Sequence, residues 1–119
     1  MKFSSDPKRW GSSGWKFLHT IAMYYPEQPT EMDKQHYKMF FLTLPYVLPC
    51  LVCQEHLLQY MSRHVSIFNN AFENRFTLTM WLIDVHNDVN KRLNKRIVPY
   101  KQVISQHDTQ LSHFFSSHE

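Results

Sequence analysis

Apolar side chains recur along this chain at intervals of three and four, with polar residues between them. No run alternates in the two-residue rhythm of a half-buried strand. Five helical stretches follow from that pattern. The first runs from about Gly11 to Tyr25, with Trp15, Leu18, Ala22 and Tyr25 on one face and Pro26 ending it. After a proline-bounded loop, Thr30 stands as an N-cap with Asp33 three residues on, a weaker version of the capping box. The second stretch carries Tyr37, Phe40, Phe41 and Leu44 and is expected to stop at Pro45. Tyr46 to Pro49 then forms a break, because proline disfavours helical geometry in the residue before it. A third begins at or near Cys50, with Leu51, Leu57, Leu58 and Met61 as its apolar positions. Beyond polar residues around Asn69, Asn70 and Asn74, a fourth runs from about Arg75 to Leu93, with Leu78, Trp81, Leu82, Val85, Val89 and Leu93 turned to one side. Pro99 interrupts the chain again, and a shorter fifth helix is expected to carry Val103, Ile104, Leu111 and Phe114. Short connections between amphipathic helices predict an all-α fold, a compact four-helix bundle with a short additional fifth helix.

Composition narrows the picture. A chain of 119 residues has room for one domain with a genuine core, so residues 1–119 are expected to form a single unit. Nine Phe, six Tyr and three Trp make that core aromatic. With only two glycines, Gly11 and Gly14, a sheet of tight hairpins and a glycine-rich phosphate loop are both disfavoured. No stretch approaches the ~20 apolar residues of a membrane span, and the start, Met1 to Pro7, lacks the apolar core of a signal peptide. A cytoplasmic location is the expectation. The net charge of +3 is spread along the chain and does not point to nucleic acid. One cluster, Lys91, Arg92, Lys95 and Arg96, could meet a phosphate-bearing cofactor or simply be a solvated helix end.

The chemistry concentrates in Cys50-Leu51-Val52-Cys53, which follows Pro49 at the start of the third stretch. The first turn of a helix offers unpaired N–H groups and a partial positive charge, both favourable to a thiolate. Residues three apart share a helical face, so the two sulfurs can close a small ring. These are the chain's two cysteines, and a structural disulfide framework is thereby excluded. An all-helical pattern weighs against a thioredoxin fold, which builds its CxxC on a sheet. Three readings stay open: a flavin-linked thiol oxidase, a zinc module using Cys50, Cys53, His56 and a distant histidine, or a helical interaction domain whose cysteines do no turnover.

Further elements accompany the pair. Trp10-Gly11-Ser12-Ser13-Gly14-Trp15-Lys16-Phe17-Leu18-His19 leads towards Tyr24-Tyr25-Pro26, Leu48-Pro49 precedes Cys50, and the fourth stretch contains His86-Asn87-Asp88-Val89-Asn90. The combination of G-x-x-x-W-x-x-L-H, P-C-x-x-C and H-N-x-V-N at these separations resembles the Erv/ALR family of FAD-linked sulfhydryl oxidases, over roughly residues 7–100. With no second cysteine pair and no long N-terminal arm, the chain is most similar in kind to the minimal viral members. The resemblance implies an enzyme that forms disulfides in protein substrates and passes electrons through FAD to O2, producing hydrogen peroxide. It implies Cys53 as the cysteine beside the flavin and Cys50 as the one met by substrate. It also implies FAD contacts from Trp10, Gly11, Trp15, His19, Cys53, His86, Asn87, Val89, Asn90, Lys95 and Tyr100, and it assigns no metal. On a helix His86, Asn87 and Asn90 share one flank, and flat Trp15, His19 and His86 suit an adenine. Expected partners are a protein dithiol or a thioredoxin-like carrier and a second copy held noncovalently; no nucleic acid is expected. Ile83 stands where relatives often carry a structural cysteine, and Asn94 where they carry a glycine that ends the helix, a left-handed position that asparagine tolerates.

Overall fold

Each of the four long helices among the described residues begins where a side chain accepts an N–H group that its first turn leaves unbonded. The computed structural model describes residues 4–99. Its elements are α1 (Pro7–Tyr24), α2 (Glu31–Val47), α3 (Leu51–Arg63), the short α4 (Val65–Asn70), a 3-10 turn (Ala71–Glu73) and α5 (Arg75–Arg92). Among the described residues there is no strand, as the periodicity predicts. The expected helix beyond Pro99, and Tyr100, lie outside the described residues.

The observed ends correct three expectations. α1 starts four residues before Gly11, because Asp6 caps it through the Lys8 N–H at 3.0 Å and Pro7 occupies the first turn, where its missing N–H costs nothing. α2 does not stop at Pro45 but continues to Val47, with Pro45 inside it and buried. A proline deletes one N–H and crowds the carbonyl four residues back, here that of Phe41. The helix survives this for another half-turn and ends at Leu48, the extended residue before Pro49. Between α3 and α5 the chain forms α4 and the 3-10 turn instead of an open connection. Six residues are too few for periodicity to reveal a helix, and Phe68, Ala71 and Phe72 are nonetheless buried.

Two capping boxes are complete. Thr30 Oγ1 accepts from the Asp33 N–H at 3.1 Å while Asp33 accepts from the Thr30 N–H at 2.9 Å. Asn74 and Thr77 exchange the same pair of bonds at the head of α5. α5 is the central element. It packs against α1, α3, α4 and the 3-10 turn, while α2 pairs with α3. Leu78, Trp81, Leu82, Ile83, Val85, His86, Asn87 and Asn90 are all buried along it, more than one face of a surface helix could hide. Trp81 sits edge-on between Phe41 and Phe68, with ring centroids 5.4 and 5.2 Å away. The Tyr25 hydroxyl donates to the Phe72 carbonyl at 2.7 Å, and Arg75 Nε donates to the Tyr25 carbonyl at 2.7 Å, tying the end of α1 to the head of α5. That tie sets the register of the α1–α5 interface on which the candidate site is built.

Candidate functional site

Leu48 and Cys50 have extended backbone on either side of a tight turn at Pro49, and Cys50 serves as the N-cap of α3. Its N–H donates to the Leu48 carbonyl at 2.8 Å, and Gln54 Nε2 donates to the same carbonyl at 2.6 Å, so the turn is braced from inside α3. Cys50 and Cys53 form a disulfide with Cα atoms 5.2 Å apart. Cys50 Sγ accepts the Cys53 N–H at 3.2 Å, the capping bond that serine or asparagine makes elsewhere. Reduction leaves that N–H and the positive end of α3 directed at sulfur, where a thiolate is favoured by about 0.3–1 kcal/mol, or ~2 in a partly buried site. Both cysteines are half-buried, and Leu51 and Val52 between them are exposed.

A second group lies between α1 and α5. Trp15 stacks on His86 with centroids 3.8 Å apart and planes 8° from parallel. His19 Nε2 lies 2.9 Å from His86 Nδ1, so one ring nitrogen donates and the other accepts, and both rings are buried. Burial, with the neighbouring His86 second, holds the His19 imidazole well below its ordinary pKa and therefore neutral. His19 and Trp15 come together because they are four apart on α1, and His86 faces them from α5.

The rest of the expected set is distributed around α5. Asn90 is buried; its carbonyl accepts the Lys95 N–H at 2.7 Å, and its Nδ2 has no hydrogen-bond partner among the described residues. Asn94 takes φ 57° and its N–H bonds the Lys91 carbonyl at 3.2 Å, a Schellman turn with asparagine in the left-handed position. Lys95 is exposed beyond that turn and Val89 is half-buried. Asn87 makes both of its amide bonds to the backbone of Val98. Trp10 Nε1 donates to the Ser5 carbonyl at 3.0 Å, and its ring covers Gly14, where an added Cβ would approach Trp10 Cε3 to 3.3 Å. At Gly11 an added Cβ would meet nothing within 4 Å, so nothing in this chain's own packing requires glycine there.

Sequence reasoning missed Val98, which is buried against Ile83 beside Met23 and Met80; a lone valine before a proline offered no periodic signal. The zinc reading finds no support. The two sulfurs bond each other, and among the described residues no three His, Cys, Asp or Glu side chains are grouped to hold a metal.

Comparisons with known proteins add to this geometry. The model of the Erv1 / Alr family matches residues 12–109. A protein named a probable FAD-linked sulfhydryl oxidase in Acanthamoeba polyphaga mimivirus is 36% identical over 99 residues, covering 83% of this chain and 68% of the relative. The FAD-linked sulfhydryl oxidase of African swine fever virus (isolate Pig/Kenya/KEN-50/1950) is 31% identical, covering 78% of this chain and 75% of its own. The crystal structure of the yeast Erv1 core superposes with a TM-score of 0.73 at 31% identity, over 82% of this chain and 79% of that one. The FAD binding domain of Saccharomyces cerevisiae Erv1 gives 0.71 at 28% identity, over 94% and 91%.

Proposed function

The chain belongs to the Erv1 / Alr family, and from that premise we propose that it is an FAD-dependent sulfhydryl oxidase that makes disulfides in dithiol substrates. The observation that carries this reading is the Cys50–Cys53 disulfide at the head of α3, in a helical fold matched by the FAD binding domain of a relative.

A substrate thiolate attacks Cys50 Sγ, the Cys50–Cys53 bond breaks, and Cys53 leaves as a thiolate at the positive end of α3. A second substrate thiolate attacks the substrate sulfur of the mixed disulfide and releases Cys50. The substrate departs as a disulfide, and the cysteine pair has gained two electrons. FAD supplies the two-electron sink between the reduced pair and O2, with hydrogen peroxide as product. Cys50 is the cysteine met by substrate and Cys53 the one beside the cofactor.

The residues present suit such a cofactor. A buried amide donor awaits a partner at Asn90, Gly11 leaves open space on α1, and half-buried Trp15, backed by the buried rings of His86 and His19, offers a flat ring to an aromatic ring system. We assign the dinucleotide to these residues together with Trp10, Cys53, Val89 and Lys95, whose cation suits a pyrophosphate. Neutral His19 and its bond to His86 hold that ring in place without burying a charge. We further propose that the chain works as one domain, as a noncovalent homodimer, with O2 as acceptor and a cytoplasmic site of action. Kinship with oxidases of large cytoplasmic DNA viruses supports the location, and cell fractionation checks it.

Oxygen consumption with a small dithiol tests the reading. Cys50→Ser and Cys53→Ser should each reduce turnover to background while the purified proteins keep their flavin absorption. Wild-type turnover in either variant contradicts the assigned roles.

A further inference from the structure

α5 does not simply end; the chain beyond it is folded back onto the helix and fastened at two points. The first is the Schellman turn, in which Asn94 and Lys95 N–H groups bond the Lys91 and Asn90 carbonyls at 3.2 and 2.7 Å. The second is Asn87, one turn earlier on the same helix. Its Oδ1 accepts the Val98 N–H at 2.7 Å and its Nδ2 donates to the Val98 carbonyl at 3.0 Å. Both partners are buried, and the Val98 side chain is inserted against Ile83 beside Met23 and Met80. The side chain of Lys95 at the first fastening is exposed, as are Arg96 and Ile97 between it and the second.

A carboxamide is the short side chain that can satisfy a backbone N–H and C=O together, being donor and acceptor in one plane. Aspartate of the same shape offers acceptors alone and would set an oxygen against the Val98 carbonyl. Removing either bond strands a buried backbone group. The geometry therefore fits a latch, with Asn87 facing away from solvent and engaged with this chain's own backbone.

We propose that Asn87 is a positioning residue for the cofactor site: its carboxamide latches Val98 and so holds the segment bearing Lys95 where that cation can meet the dinucleotide's pyrophosphate. The sequence resemblance assigns Asn87 a direct contact with FAD; the latch gives it an indirect one. This inference rests on the proposal that Lys95 faces the pyrophosphate.

Amide hydrogen exchange on the FAD-free chain tests the latch itself. Val98 should exchange slowly in the wild type and roughly a hundredfold faster in Asn87→Asp and Asn87→Ala, since exchange reports the freedom of that local segment. Far-UV circular dichroism confirms that each variant is folded, and Asn87→Asp serves should Asn87→Ala fail to fold. Titration with FAD, read by flavin fluorescence, then tests positioning. Lys95→Ala and the Asn87 variant should each weaken binding about tenfold, and the double variant about tenfold rather than a hundredfold, the non-additivity expected of residues acting through one contact. Unchanged Val98 exchange, or effects that multiply in the double variant, overturns the proposal and returns Asn87 to direct contact. A wild-type chain that takes up no FAD overturns the oxidase reading instead, a failure separable from the latch because exchange is measured without cofactor.

Discussion

Cys50 occupies the capping position that serine, threonine or asparagine would normally hold, and its sulfur takes the N–H of the residue to which it is bonded. One side chain thus initiates the helix and, in the proposed function, exchanges thiols with substrate. His19 shows the reverse economy: a titratable group kept neutral. Its folded pKa lies below the ordinary value of about 6.5, so between those two values the unfolded chain binds a proton that the folded chain does not. Stability from this group is complete above about pH 6.5 and falls as the pH drops towards the folded pKa, by at most ~1.4 kcal/mol per unit. Thermal unfolding followed from pH 7.5 to 5.5 should show a falling Tm, and His19→Gln should flatten that slope. A slope equal to the wild type's would place the pH sensitivity elsewhere. Trp15, His19 and His86 were singled out in the sequence by a family motif and not by spacing alone, and the structure brings their rings together. Val98 was not legible in the sequence, since its importance comes from a fold-back that no local pattern encodes.

At the scale of elements, capping chemistry decided more than apolar spacing did. Thr30 with Asp33 announced α2 from sequence, and the structure completes both bonds. Asp6-Pro7 carried an equally good start signal for α1, but the run of serines and glycines after Trp10 obscured it. Pro45 was a stop signal that tertiary packing overrode, its ring being buried at the end of α2. Asn74 tests how much such caps matter here. Its box with Thr77 heads the helix on which the whole interior converges. Asn74→Ala should cost about 1–2 kcal/mol, a drop in Tm of roughly 4–8 °C per kcal/mol for a domain near this size. An unchanged melting temperature would mean that packing alone fixes the start of α5.

For the whole molecule, the all-α architecture follows from periodicity because so many aromatic residues fall at helical spacing, and α5 had to be recognised as buried on several sides, not one. What sequence could not supply is which large apolar side chains stay exposed. Phe17 and Tyr24 on α1, and Met32, Met39, Leu42, Tyr46 and Val47 on α2, remain exposed although large and apolar, and no free cysteine is available to bridge two copies. Sedimentation equilibrium should give a dimer with or without reductant; a monomer at tens of micromolar would contradict the noncovalent homodimer. The central claim is that electrons leave the substrate through Cys50 and Cys53 and pass to a bound flavin. Anaerobic titration of the purified protein with a dithiol, followed at the oxidised flavin band near roughly 450 nm, tests it most directly. The account predicts bleaching in the wild type and a band that persists in Cys53→Ser at the same dithiol concentration, whereas equal bleaching in both, or a wild-type preparation with no band at all, would contradict it.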